Sequence, residues 1–210
     1  MDAINSFWKN SAIYFIGSTI TKAISFFLLP LCTNSFTKTQ TGYLFLIFTF
    51  ISFCQILYFH GLDSAFIKFY IKKKRNHYQI SYTSIIFLFI TSSILSSVII
   101  SFADSFSFYI LGLNQGIWFV FCSGILFFDS ISSRLMIQIR IQEKSILFFI
   151  ITLLNVLLTI IISYVLVVSY GLGINGILIG ILLGTFARFL LLSPSLIKIL
   201  KKGTFSCASL

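Results

Sequence analysis

Residues 146–168 read ILFFIITLLNVLLTIIISYVLVV, 23 consecutive positions without a formal charge. As a helix this stretch rises about 34 Å at 1.5 Å per residue, enough to cross a hydrocarbon core of about 30 Å. Its polar side chains are few, and the backbone satisfies its own hydrogen bonds only if it is helical in that solvent. Five further stretches of comparable length and polarity flank it, at 11–32, 42–62, 80–102, 116–136 and 176–197. Together they predict an all-α polytopic membrane protein with six transmembrane helices over residues 1–200, followed by a short tail, 201–210.

Composition agrees with that reading and overrides chain length, which alone would fit one or two soluble domains. Hydrophobic residues make up 58% of the 210 positions and charged residues 10%, with a mean hydropathy of +1.02. Too little polar surface remains to cover a water-soluble core. The connections are short, which predicts no folded domain outside the membrane. Any activity then belongs to the bundle or to its two faces.

The formal charge of +10 could signal nucleic-acid binding, but its distribution says otherwise. Lys68, Lys72, Lys73, Lys74 and Arg75 follow the second stretch; Arg134, Arg140 and Lys144 surround the fourth-to-fifth connection; Lys198, Lys201 and Lys202 follow the sixth. The alternate loops carry only Lys38, and Asp104 lies on that side. This asymmetry is a topology signal, which puts both termini in the cytoplasm and implies no nucleic-acid partner. The run from Lys72 to Arg75 could also dock on anionic membrane lipids, although anchoring the topology is the simpler role.

Cys32, Cys54, Cys122 and Cys207 are scattered without C-x-x-C spacing, so they predict neither a disulfide framework nor a metal site. The apolar run near the N-terminus is longer than a signal-peptide core and is expected to be retained as the first helix.

Function is carried by the polar groups kept inside apolar helices. In the first stretch Tyr14, Ser18, Thr21, Lys22 and Ser25 share one face of a 3.6-residue helix. Lys22 is far from both helix ends, where a charge costs about 2.5–3.5 kcal/mol even on lenient scales, so it is expected to face water or a partner. Arg188 lies about nine residues from the end of the sixth stretch, where either snorkelling or a site role is open. Asp129 and Arg134 are five residues apart, a spacing that does not pair them within one helix, so each is expected to seek another helix or the cytoplasmic mouth. Gln55 fits either a packing hydrogen bond or a cavity group. Thr152, Asn155, Thr159 and Ser163 form a stripe on the fifth stretch that suits hydrogen bonding to a neighbour as well as lining a cavity. Gly176, Gly180 and Gly184 form a ridge on the sixth that permits close helix approach, with Arg188 one turn further. The candidate cavity residues are therefore Ser18, Lys22, Ser25, Asp129 and Arg188, and the candidate mouth residues are Asp63, Lys68, Arg134 and Arg140.

No carboxylate pair, H-E-x-x-H, G-x-S-x-G or phosphate-binding G-K-[ST] loop occurs. With five acidic residues in all, a metal-dependent membrane transferase is disfavoured; neither a cofactor nor a metal is expected, and the chain reads as a non-enzyme.

Ile13-Tyr14-Phe15-Ile16-Gly17-Ser18, then Lys22, Phe26, Leu28-Leu29-Pro30-Leu31 and Thr33, resembles the first helix of bacterial polysaccharide flippases of the O-antigen type. These belong to the multidrug/oligosaccharidyl-lipid/polysaccharide exporter superfamily. Gly42-Tyr43, Gly61-Leu62-Asp63-Ser64-Ala65, Lys68-Phe69-Tyr70, Gln138-Ile139-Arg140 with Gln142-Glu143-Lys144, and Gly171-Leu172-Gly173-Ile174-Asn175-Gly176 resemble later landmarks in the same order. Asn34, Gln40, Thr41 and Lys68 depart from the pattern. The resemblance implies one amino-terminal lobe of a two-lobed exporter of about twelve to fourteen helices, its site between the lobes. It further implies an inner-membrane protein that flips an isoprenoid-diphosphate-linked oligosaccharide for cell-surface polysaccharide or lipopolysaccharide synthesis. Lys22 and Arg188 would supply charge for the diphosphate or acidic sugars.

Two rivals stay open at this level. One is a lobe of a cation-coupled multidrug exporter, for which Asp129 is the one deep acid; the other is a non-transporting scaffold that binds a polysaccharide polymerase or glycosyltransferase. The polar ending at 201–210 reads as a truncation end, so the chain alone is expected not to translocate, and either to be degraded or to pair with a second copy or a host half-transporter through its glycine ridge or polar face.

The charge asymmetry generates a topology test. A reporter fused at Lys74 is expected to be active on the cytoplasmic side and one fused at Asn114 on the outer side. Labelling of Lys74 from outside intact cells would overturn the orientation.

Overall fold

The computed structural model describes residues 12–17, 19, 20, 30, 34–59, 62–72 and 77–202. Their regular structure is helical throughout. After a helical piece at 12–17 come α1 (Lys38–Phe59), α2 (Leu62–Lys72), α3 (His77–Ser101), α4 (Ala103–Leu111), α5 (Ile117–Ile141), α6 (Ser145–Tyr164) and α7 (Gly173–Lys202), with a π-helical turn, Val165–Ser169, prolonging α6. Helices α1, α3, α5, α6 with its π turn, and α7 are each long and apolar enough to cross a bilayer. The chain is a membrane protein with transmembrane helices, five of them within the described residues. The sixth expected span, 11–32, lies mostly outside those residues.

Two connections differ from the sequence reading. They are not bare loops: α2 fills the turn between α1 and α3, and α4 the turn between α3 and α5. Helix α4 buries Ala103, Ser107 and Leu111, one face at spacing four. It ends where Gly112 takes a left-handed φ of 67° and its N–H closes on the Phe108 carbonyl. The Asp104 carboxylate occupies the space a side chain at residue 116 would need, beside the N-terminus of α5, where a negative charge is favoured.

Helix α5 is the centre of the bundle. In its spanning window 56% of residues are inside, against 22% for α1, and it packs against α1, α3, α4, α6 and α7. It is also the least apolar of the spans. A helix surrounded by protein can carry Asp129, Arg134 and several serines because neighbouring helices supply their partners, whereas lipid-facing surfaces must be hydrocarbon. The outward faces accordingly show Phe53, Ile56, Ile94 and Ile161, all more than half exposed. Helix α5 also runs further than the 116–136 stretch, to Ile141, so Arg140 is on the helix.

Two apolar cores are stacked along the bundle. One joins α1, α4, α5 and α7 around Leu44, Ile47, Phe119, Cys122 and Ile177. The other joins α3, α5, α6 and α7 around Ile131, Leu135, Ile151 and Leu192. A buried polar chain ties α1 and α3 to α5: Tyr58 and Ser96 hydroxyls pair at 2.8 Å, and Ser96 Oγ lies 3.4 Å from the Ser123 carbonyl.

The α6–α7 seam is where the glycine ridge goes. Gly176 faces Leu166 and Val167 of the π turn, Gly180 faces Ser163, and Gly184 faces Thr159 and Asn155. Thr152, Asn155, Thr159 and Ser163 are all buried, so the α6 polar stripe and the ridge fill each other. The ridge is therefore occupied within the chain and is not the self-association face expected from the sequence. Thr152 and Thr159 donate their hydroxyls to carbonyls one turn back, Phe148 and Asn155, at 2.8 Å each.

This seam predicts two distinguishable lesions. A methyl at residue 180 would lie 2.8 and 2.9 Å from the Ser163 backbone N and Cα, so Gly180→Ala is expected to cost about 1–3 kcal/mol with no relief from a side-chain change at 163. A methyl at residue 184 overlaps Thr159 Oγ1 and lies tightly at 3.2 Å from its Cβ and 3.3 Å from Asn155 Oδ1, so Gly184→Ala destabilises and added Thr159→Ala restores part of the loss. Thermal unfolding in mild detergent reads both; equal behaviour of the two sites would disprove the packing account.

Candidate functional site

The deepest charges of the described chain form one cluster. Asp129 is the midpoint of α5, 12 residues from Ile117 and from Ile141, or about 18 Å from each end. Arg188 stands 15 residues after the start of α7 and 14 before its end. Helix α7 continues to Lys202, past the expected end at Ile197, and the Arg188 side chain does not snorkel along it towards that end. Instead Arg188 Nη2 donates to Asp129 Oδ1. From α1, Gln55 Nε2 donates to Asp129 Oδ2 at 3.4 Å. Three helices thus converge on one carboxylate.

Energetics explain the convergence. Either charge alone at mid-depth costs several kcal/mol, and mutual pairing with hydrogen bonds on both carboxylate oxygens removes most of that. The side chains of Arg188 and Asp129 are 13% and 18% exposed, so the pair is shielded but not sealed. Arg188 Nε is buried with no hydrogen-bond partner among the described residues. On α5 and α7 the pair lies at the boundary of the two cores, with Leu126 and Leu182 in or against one and Ile131 and Phe189 in or against the other.

A second cluster closes the basic end of the bundle. Arg134 is enclosed, its side chain 1% exposed; its Nη1 lies 3.2 Å from Asp63 Oδ1 of α2, and its guanidinium sits 4.9 Å from the Phe66 ring centre. Gln142 Nε2 donates to the Tyr70 hydroxyl at 3.1 Å. Next to this, the Arg140 guanidinium covers the rings of Phe148 and Tyr14 at 4.8 and 5.9 Å, and the Tyr14 hydroxyl donates to the Arg140 carbonyl at 3.3 Å. The start of the first stretch therefore packs at the α5–α6 corner.

Of the candidate cavity residues, Asp129 and Arg188 are brought together, while Ser18, Lys22 and Ser25 lie outside the described residues. Of the candidate mouth residues, Asp63 and Arg134 are joined across α2 and α5; Lys68 and Arg140 are exposed and belong to neither ion pair. The α6 stripe takes no part in a cavity. Gln55 emerges as the third member of the deep cluster, and the partnership of Asp63 with Arg134, 71 residues apart, follows from the α2 helix that sequence periodicity did not reveal. Among the described residues no three His, Cys, Asp or Glu side chains converge to hold a metal.

Breaking one side of the deep pair is expected to be worse than removing both. Asp129→Asn or Arg188→Gln leaves the partner charge buried and should lower stability by about 3 kcal/mol, whereas Asp129→Leu with Arg188→Met should recover most of it. Unfolding of detergent-solubilised protein measures the cycle, and additive effects would show that the two do not depend on each other.

Comparison of the chain with protein-family models, with curated proteins and with solved structures finds no match.

Proposed function

We propose that this chain forms one transmembrane lobe of a lipid-linked oligosaccharide flippase, binding an isoprenoid-diphosphate-linked sugar unit on an inward cationic face and moving it across the bacterial inner membrane without covalent chemistry. The observation that carries the reading is the Asp129–Arg188–Gln55 cluster at mid-depth. Ionisable groups kept that far inside hydrocarbon, on helices facing one another, mark substrate pathways more often than packing alone. The ordered sequence landmarks from Ile13 to Gly176 support the substrate class. In this reading Lys22 meets the diphosphate, Arg188 stays held by Asp129 until the lobes rock, and the basic end faces the cytoplasm. A second six-helix unit, such as another copy, completes the passage.

One observation favours a different reading. Arg188 is neutralised by Asp129, and both carboxylate oxygens are engaged, as in a purely structural cross-brace. The chain would then be a scaffold for polysaccharide-assembly enzymes.

Binding separates the two. The purified chain in nanodiscs is expected to bind a fluorescent isoprenoid-diphosphate oligosaccharide, to retain that affinity as Lys22→Arg, and to lose about tenfold or more, roughly 1.4 kcal/mol, as Lys22→Gln. A scaffold gives no saturable binding, and equal affinity of the glutamine form would remove Lys22 from the site.

A further inference from the structure

Helix α2 has two faces with different owners. Its inner face is fixed by Asp63 on Arg134, Phe66 beneath the Arg134 guanidinium and Tyr70 under Gln142, and Phe66 and Tyr70 pack with Ile80, Ile137 and Ile141. Its outer side exposes Lys68 together with Ile67 and Phe69, 38% and 37% exposed. An isoleucine and a phenylalanine on either side of a lysine suit neither bulk water nor hydrocarbon. They suit the headgroup zone, where the apolar groups enter the lipid and the ammonium reaches phosphate.

The charge around α2 selects which lipid. The same end of the bundle exposes Arg140, Lys144, Lys198 and Lys201 against Glu143; the Asp63 side chain, 41% exposed, is paired with Arg134. At the opposite end Lys38 and Asp104 balance. We propose that the outer face of α2, through Lys68 between Ile67 and Phe69, is a docking surface for anionic phospholipid headgroups. It holds phosphate-bearing lipid against the basic end and so sets the depth of α2 in the bilayer. The ion pair to Arg134 keeps Asp63 from repelling that lipid.

The test uses the full chain in phosphatidylcholine nanodiscs containing equal mole fractions of brominated phosphatidylglycerol or brominated phosphatidylcholine. The emission of Phe69→Trp is read after subtraction of the unsubstituted chain. Quenching by the anionic lipid is expected to exceed that by the neutral one about twofold or more. The ratio should fall towards one when Lys68→Gln is added, and again near 1 M salt, where screening shortens to about 3 Å. Tyr109→Trp at the opposite end should give a ratio of one. A ratio of one at residue 69 overturns the proposal and leaves this face to a protein partner. So does an equal preference at 69 and 109, or a preference that Lys68→Gln leaves unchanged.

Discussion

A charge in hydrocarbon must be answered by another within reach of a side chain, and Asp129 and Arg188 meet that demand at the middle of two helices. The requirement sets the register of α5 against α7, since a slip of one residue would carry the carboxylate about 100° around its helix. Gln55 extends the same constraint to α1. Apolar packing above and below is less directional, so the register rests on the ion pair together with a second polar contact between α5 and α7, Trp118 Nε1 donating to Asn175 Oδ1 at 2.8 Å. The stacked cores then close around the register they set.

The bundle handles polar side chains in two ways. Where α6 meets α7, hydroxyls and an amide are pressed against glycines; Thr152 and Thr159 are satisfied by backbone carbonyls one turn back, while Asn155 Oδ1 and Ser163 Oγ are buried with no hydrogen-bond partner among the described residues. Where α5 meets α7 and α1, charged groups remain slightly open to the outside. Glycine decides between the two. On α7 the ridge that faces α6 ends at Gly184, and one turn later the long Arg188 side chain reaches Asp129 of α5 instead.

Apolar run length made the spanning helices readable, because a bilayer imposes a minimum length and tolerates few charges. Helix ends were less so: α5 and α7 continue past their apolar windows into segments such as Ile137 to Ile141 and Ile199 to Lys202, where the helix is kept by packing of Ile139 and Ile199 against neighbours. Helices α2 and α4 were hidden since each is shorter than a span and its apolar residues are shared between two faces. For the candidate site, mid-helix position marked Asp129 and Arg188 individually, yet their pairing is a tertiary event between residues 59 apart. The α6 stripe shows the limit of periodicity, which finds a polar face but not whether water or a glycine ridge lies opposite.

The central place of α5 has a consequence for biogenesis. It is the least apolar of the spans, and its carboxylate is synthesised 59 residues ahead of the arginine that neutralises it. As the nascent chain leaves the insertion machinery, α5 has a weak partition preference and a charge whose ion-pair partner is still to come, and among the described residues of the earlier helices Gln55 reaches it. Its ion-pair partner arrives with α7, so the settled packing of α5 depends on the second half of the chain.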